Sequence, residues 1–551
     1  MKSFYKTFLL LFLNVSLLVF NSFSQQAPGI EWQNTIGGSG MDGLSSIQQT
    51  NDGGYICGGW SASGVSGDKI ENNCSSFGDF WVVKLDSFGS IMWQNTIGGD
   101  GTDNLMCVQQ TNDGGYILGG SSDSYKLCDK SENTIGSSDY WVVKLNSSGN
   151  IQWENTIGGT EIDHLRALQQ TADNGYIIGG FSKSNISGDK IENCIGSSDY
   201  WIVKLDSMGN IQWQNTIGGN STDELFSIKQ TTDGGYIAGG YSASNISGDK
   251  TENSMGIYDF WILKLDAIGN IQWQNTIGGS TNDKLREIQP TKDGGYIVGG
   301  TSSSNISGDK TENNFGKKND YWILKLDNLG NILWQNTIGG TVQDYFSSIK
   351  PTSDGGYIVG GYSSSNVSGD KTAPCIGLQD YWVIKLDSIG NIQWQKTIGG
   401  TDDEQLGSIQ ETTDGGYILG GLSRSDSSGD KTENCHGIMD YWIIKLLPDT
   451  ITSTFNIQHP ASNINISPNP SSGIFQITFP SSNTNQKTNY TLEVISTLGQ
   501  TVFSSDLRPD SYRVPTSDFQ TQIDVSFLPK GMYVLRVNNG AQLMAQRIVI
   551  Q

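Results

Sequence analysis

Seven acidic side chains recur at one place in this 551-residue chain: Asp42, Asp103, Asp163, Asp223, Asp283, Asp344 and Glu404, each four residues after the second glycine of a Gly-Gly pair. Carboxylates converging from seven copies of one segment would suit a hard cation, calcium above all, because such ions need several oxygen ligands. Taken singly, each acid would instead cap backbone amides of the link in which it sits. A second candidate is the S-G-D-K-[TI]-E-N loop, as in Ser247–Asn253. It lacks the D-x-[DN]-x-[DN]-G spacing of a calcium loop, and Lys250 would neutralise its neighbouring acid, so a hydrogen-bonded turn is the better reading. The three histidines, His164, His436 and His459, share no repeat position. Neither a catalytic triad nor a histidine metal set can be assembled from them. With 56 acids, paired carboxylates can be drawn almost anywhere and single out no glycosidase site. The expectation is no catalytic residue, and no cofactor unless calcium occupies the acidic ring.

These residues belong to a repeat of about 60 residues marked by four strings. The first is W-Q-N-T-I-G-G, with Trp32, Trp93, Trp153, Trp213, Trp273, Trp334 and Trp394; Glu154 and Lys396 are its deviations. The second is the short segment opened by the acid. The third is D-G-G-Y-I-x-G-G, and the fourth D-[YF]-W-[VI]-[VIL]-K-L. Of the tryptophans, only Trp60 lies outside these strings. Each string alternates as a strand does: in Tyr200–Leu205, Trp201, Val203 and Leu205 share one face, Tyr200, Ile202 and Lys204 the other. Asp-Gly and Asp-x-x-Gly links supply tight hairpins.

One repeat therefore predicts a four-stranded antiparallel meander. Its strands are A (around Leu225–Thr231), B (Gly235–Ser242), C (Asp259–Leu265) and D (Asn270–Ile277). The chain starts with a lone D strand, Ile30–Ile36, and the repeats end with a C strand, Asp440–Leu446. Pairing these two completes a seventh unit and protects both edges. The predicted fold is all-β: a seven-bladed β-propeller over 25–447, closed by the N-terminal strand, with a small β-sandwich behind it. The stretch Asp206-x-x-Gly209-x-x-x-Trp213 resembles the tryptophan-docking motif of quinoprotein propellers, in which turn glycine and strand-D tryptophan lock neighbouring blades. The turn here is one residue shorter, and that family's adjacent axial cysteines are missing, so the resemblance extends to architecture and not to quinone chemistry.

Residues 1–24 read as a secretory leader: Lys2 and Lys6, an apolar Phe8–Phe20, then Ser22 and Ser24 before the cut. No apolar run is long enough to span a bilayer as a helix. A net charge of −22 disfavours nucleic acid and anionic lipid as partners. Export permits disulfides among the seven cysteines, for instance between Cys74 and Cys435, which ring closure would bring together.

After a polar linker, 448–463, the chain reads Ile466-Ser467-Pro468-Asn469-Pro470-x-x-Gly473, and later Leu528-Pro529-x-Gly531-Met532-Tyr533. Segment 464–551 is similar to the type A C-terminal sorting domains of the type IX secretion system of Bacteroidetes. Ser467 stands where that family commonly has tyrosine. The resemblance implies passage to the periplasm, engagement of the outer-membrane secretion machinery, and a secreted or cell-surface destination. D–A and B–C links are longer than the tight A–B and C–D turns. Ligand sites favour the face that carries the longer links. The sequence thus suggests a glycan- or protein-binding module, with an extracellular polysaccharide hydrolase or lyase, or a structural envelope protein, as the alternatives.

Overall fold

The computed structural model describes residues 26–316, 318–449, 465–467, 471–479, 490–496, 501–507, 519–538 and 543–550. The leader at 1–24, most of the linker, His459 and Pro468–Pro470 lie outside the described residues. The chain divides into two compact units, with the boundary after Ile451. All regular structure among the described residues is β-strand.

Unit 1 holds seven four-stranded antiparallel sheets, each in the order A-B-C-D. Sheet 4 is typical: Asp223–Gln230, Tyr236–Ser242, Asp259–Leu265 and Ile271–Ile277. Strand A begins two residues earlier than the sequence pattern suggests, on the acid itself. Sheet 7 takes Glu404–Glu411, Tyr417–Ser423 and Asp440–Leu446 from the end of the unit, and Ile30–Ile36 from its start. Trp32 pairs with Lys445, as Trp273 pairs with Lys264 inside sheet 4.

Every C strand is buried along its whole length, because neighbouring sheets cover both of its faces. Trp201, Val203 and Leu205 enter one inter-sheet core, Tyr200 and Ile202 the next. Seven such cores separate consecutive sheets. The core between sheets 7 and 1, where Ile418, Tyr441 and Ile443 meet Leu44, Tyr55 and Trp81, is built like the others. Burial of aromatic and branched side chains at this density is the main stabilising term.

The repeated polar residues tie these layers together. Gln214 accepts from Trp201 Nε1 at 3.1 Å and donates to the carbonyl of Asp189 at 2.7 Å. The Trp153 ring lies over Gly209 of the next sheet, whose carbonyl accepts from Asn155 at 2.8 Å. Trp394 has no such turn ahead of it, since the chain leaves at Leu447. Its indole donates instead to Asp449 at 2.9 Å, and Lys396, in place of asparagine, reaches the carbonyl of Pro28 at 2.9 Å. The other deviation, Glu154, accepts from Trp141 Nε1 at 2.6 Å where glutamine does so elsewhere.

Cys74 is bonded to Cys128 of the neighbouring link, with their Cα atoms 6.2 Å apart, rather than to Cys435, the partner offered as one possibility. Cys128 occupies the positive-φ position that glycine holds in the other links, at φ 54°. There it faces the residue that starts the acid-capped turn of the preceding link. Cys435 sits one position away from the counterpart of Cys74, against the carbonyls of Ser423 and Ser425.

Unit 2 contains two antiparallel sheets: Asn465–Ser467, Ile474–Phe479 and Phe519–Asp524 in one; Thr501–Leu507, Tyr490–Ser496, Gly531–Asn538 and Leu543–Ile550 in the other. They bury a common core that includes Phe475, Ile477, Leu492, Val494, Leu535 and Ile548.

Candidate functional site

The acids singled out by the sequence each accept local hydrogen bonds, and in Asp42, Asp163, Asp223, Asp283 and Asp344 the Oδ1 is buried without a hydrogen bond. Asp223 is fully buried and accepts from the amide of Gly219 at 2.7 Å and from Ser244 Oγ at 2.8 Å. Asp42, Asp103, Asp163, Asp283 and Asp344 do the same in their links, and Glu404 accepts from Gly400 and Ser423. Among the described residues no three acids, cysteines or histidines are grouped so as to hold a metal ion. The S-G-D-K-T-E-N loop is likewise bonded to strand D. Lys250 is buried, donates to Thr276 Oγ1 at 2.5 Å and lies 5.5 Å from the centre of the Trp261 ring. Asp249 accepts from Gly218 at 3.1 Å and Glu252 from Thr276 at 2.6 Å.

Burial dominates the titration of several aspartates that open the C strands and of several lysines in the B–C links. It lifts Asp79 and Asp320 to about 7, and Asp259, Asp380 and Asp440 to about 6. It lowers Lys69, Lys250 and Lys310 to about 8.

The sorting-motif positions that are described serve the fold of unit 2. Gly473 accepts from the amide of Val525 at 2.8 Å, and Leu528 packs against the core. Gly531 pairs with Ile550, and the Tyr533 hydroxyl donates to the carbonyl of Pro529 at 2.8 Å.

What remains free for chemistry lies elsewhere. The A strands of all seven sheets line one cavity of about 580 Å3. Each A strand carries a β-bulge at the third residue after its acid, between for example Leu165 and Ala167, Leu225 and Ser227, or Leu285 and Glu287. A bulge leaves one residue out of the ladder and re-aims its side chain. Here the bulged residue lines the cavity in every sheet: Ser45, Met106, Arg166, Phe226, Arg286, Ser347 and Gly407. Between the near-identical leucine and isoleucine positions that flank it, this is where the repeats diverge.

The divergence has a clear chemistry in sheets 3 to 6. The Phe226 ring has the guanidinium of Arg286 at 4.4 Å and that of Arg166 at 5.2 Å. Neither arginine has an ion-pair partner among the described residues, and Nε of Arg166 is buried without a hydrogen bond. Farther along the cavity, Glu287 pairs with Lys350 and accepts from Ser348 Oγ and the amide of Ile349, both at 2.8 Å. Burial and then the nearby Lys350 lower the Lys229 ammonium.

Toward the longer links, unlike residues again meet. Tyr241 stacks on Phe226 at 5.4 Å, donates to Glu224 at 2.6 Å and lies under Lys284 at 4.6 Å. Tyr345 stacks on Tyr362 at 5.0 Å, and Trp60 spans Gly43. His164 packs on Phe181 at 5.3 Å and is lowered to about 4 by burial, with Arg166 adding to it, so it is neutral at physiological pH. Trp60 was the single tryptophan outside the repeat strings. The rest carried a signal too: one column reading Ser, Met, Arg, Phe, Arg, Ser, Gly between the constant acid and the isoleucine, valine or leucine that follows.

Residues 465–551 match the family described as secretion system C-terminal sorting domain. Over 319 residues the chain is 23% identical to regulatory protein FlaEY of Caulobacter vibrioides, an alignment covering 53% of this chain and 33% of that protein. The chain thus spans about a third of the length of that relative. A solved member of the DUF4221 family from Bacteroides vulgatus aligns with 61% of this chain and 93% of its own, at 9% identity and a TM-score of 0.29. The sorting domain, whose last residues form the edge strand Leu543–Ile550, marks the protein for export by type IX secretion to the cell surface or the extracellular space.

Proposed function

We propose that unit 1 is a seven-bladed β-propeller closed by its N-terminal strand, and that it works outside the cell as a binding module for a glycan or protein. The reading rests on one observation above all. Within the A strands of a frame repeated seven times, the bulged positions that line the cavity differ from sheet to sheet, and there they place aromatic and cationic side chains of unlike kind. Architecture alone would keep these positions as uniform as the rest. The mouth beside the longer links is the binding surface in this reading, and the acidic positions are part of the frame.

A glycan array probed with purified mature protein, with and without calcium, tests the proposal. Saturable binding that is lost on Tyr241→Ala or Tyr345→Ala supports it. A blank array together with no captured surface protein would leave a structural envelope role. Calcium-dependent binding would return the seven acids to the site.

The asymmetric cluster in sheets 3 to 6 favours a second reading, an extracellular polysaccharide lyase or hydrolase. Release of reducing or unsaturated ends from an anionic polysaccharide would distinguish it from a binder.

A further inference from the structure

The cavity has a charge opposite to that of the protein around it. Arg166, Lys229, Arg286 and Lys350 line it against Glu287 and Glu411, four cations against two anions, in a chain of net charge −22. Glu411 is turned to Ser353, accepting from its amide and hydroxyl at 2.6 and 2.7 Å, and Glu287 is committed to Lys350. Arg166, Arg286 and Lys229 are left with no ion pair among the described residues. Concentrating unpaired positive charge in a confined space opposes folding. The bulges that aim both arginines at the cavity are present in every sheet, so only the choice of residue makes the site cationic.

We infer that this cavity binds an acidic saccharide, with the carboxylate or sulfate of one sugar held between the guanidinium groups of Arg166 and Arg286. The inference rests on the binding-module reading above and names its ligand class. A guanidinium presents paired N–H donors that match the two oxygens of a carboxylate or sulfate. The Phe226 ring packs against both guanidinium groups, 5.2 Å from that of Arg166 and 4.4 Å from that of Arg286, and so limits their movement. The partly exposed rings of Phe226 and of the stacked pair Tyr345–Tyr362 give the flat apolar faces on which pyranose rings pack, which selects a saccharide over an acidic peptide. Lys229, which has no ion pair among the described residues, lines the cavity farther along, while Lys350 is held by Glu287.

The test uses full-length mature protein and four probes: polygalacturonate for the carboxylate, dextran sulfate for the sulfate, neutral dextran, and polyglutamate. Binding is measured by calorimetry for wild type, Arg166→Gln, Arg286→Gln, the double variant, and Lys292→Gln as an exposed-charge control on an A–B turn, away from the longer links. The expected result is binding of at least one acidic polysaccharide, weakened about tenfold by each single change of arginine and unaffected by Lys292→Gln. Removing unpaired like charges should leave the melting temperature unchanged or higher. Should a glutamine variant fail to fold, Arg166→Lys and Arg286→Lys retain charge, and a several-fold loss is expected from the missing fork alone. Acidic-polysaccharide binding that ignores both arginines would overturn the inference, as would polyglutamate binding equally well. Binding of neutral dextran, or of a neutral array glycan, without the acidic ones would overturn it and leave the binding module standing. No ligand in any assay would remove both.

Discussion

Gly209 and Gly234 form a matched pair that isolates the energetics of tryptophan docking. Both sit at tight turns of neighbouring sheets with nearly equal backbone angles, φ 86° and φ 84°. Both amides close the turn, Gly209 onto Asp206 at 3.2 Å and Gly234 onto Thr231 at 3.0 Å. An alanine at either site incurs the left-handed penalty, about 1–2 kcal/mol. The surroundings differ. A Cβ on Gly234 meets nothing within 4 Å, whereas one on Gly209 would lie 2.8 Å from Cζ3 of Trp153. That ring must move, at an overpacking cost of about 1–3 kcal/mol. Its displacement also strains the 2.8 Å bond from Asn155 to the Gly209 carbonyl. Gly209→Ala should therefore cost about 2–5 kcal/mol and Gly234→Ala about 1–2 kcal/mol. Guanidinium unfolding of the two variants, followed by tryptophan fluorescence at constant m-value, reads the difference as a shift in midpoint. Equal losses would refute the claim that the indole is seated on the glycine and would reduce the motif to a turn requirement.

Four further outcomes follow from the geometry. Asp79, Asp259, Asp320, Asp380 and Asp440 are raised from 3.8 to about 6–7 by burial, so the folded state holds their protons more tightly than the unfolded chain does. Stability should rise as pH falls from about 8 to about 5, and a melting temperature that falls over that window would contradict this assignment. Asp52, Asp113, Asp173, Asp233 and Asp293 behave oppositely: burial raises them, but hydrogen bonds from the turn threonine and the C-strand lysine prevail and bring them to about 2, so their contribution is lost only as pH falls from about 4 toward 2. Reduction of Cys74–Cys128, which closes a separation of 54 residues, should lower stability by up to about 4 kcal/mol. Cys435→Ser should leave that reductive loss intact, and its disappearance would favour the discarded pairing. Deleting Ile30–Ile36 should expose the edge of Asp440–Leu446 and produce aggregation; a monomeric, equally stable deletion would argue against closure.

The sheet order was legible because each string carries its own period and its own turn residues, and the lone D and final C strands could be counted against each other. The strand boundaries shifted at the acids, since a carboxylate that caps a glycine amide can already sit in the ladder. The role of those acids stayed open because seven carboxylates at one repeat position look alike whether they converge or turn inward. In the structure Asp223 is buried with Gly219 and Ser244, as an acid that caps its own link would be. Disulfide choice depended on a single register step: Cys74 and Cys435 occupy adjacent structural positions in links of unequal length. The cavity was hidden for a different reason. Alternation puts every second residue of an A strand inward, and the bulge breaks that count, so Arg166, Phe226 and Arg286 fall out of phase with the strand pattern. Their divergence between repeats was visible, but nothing in the sequence said that the column faced one shared space.

The most direct test of the account is hydroxyl-radical footprinting of the mature protein with and without saturating acidic polysaccharide. The side chains to compare are Tyr345, Tyr362 and Phe226 beside the cavity and Phe88, Met208 and Leu329 on the C–D turns, where they are 79%, 70% and 66% exposed. The account predicts protection of the first group and unchanged oxidation of the second. Protection confined to Phe88, Met208 and Leu329, or no protection anywhere, would contradict it.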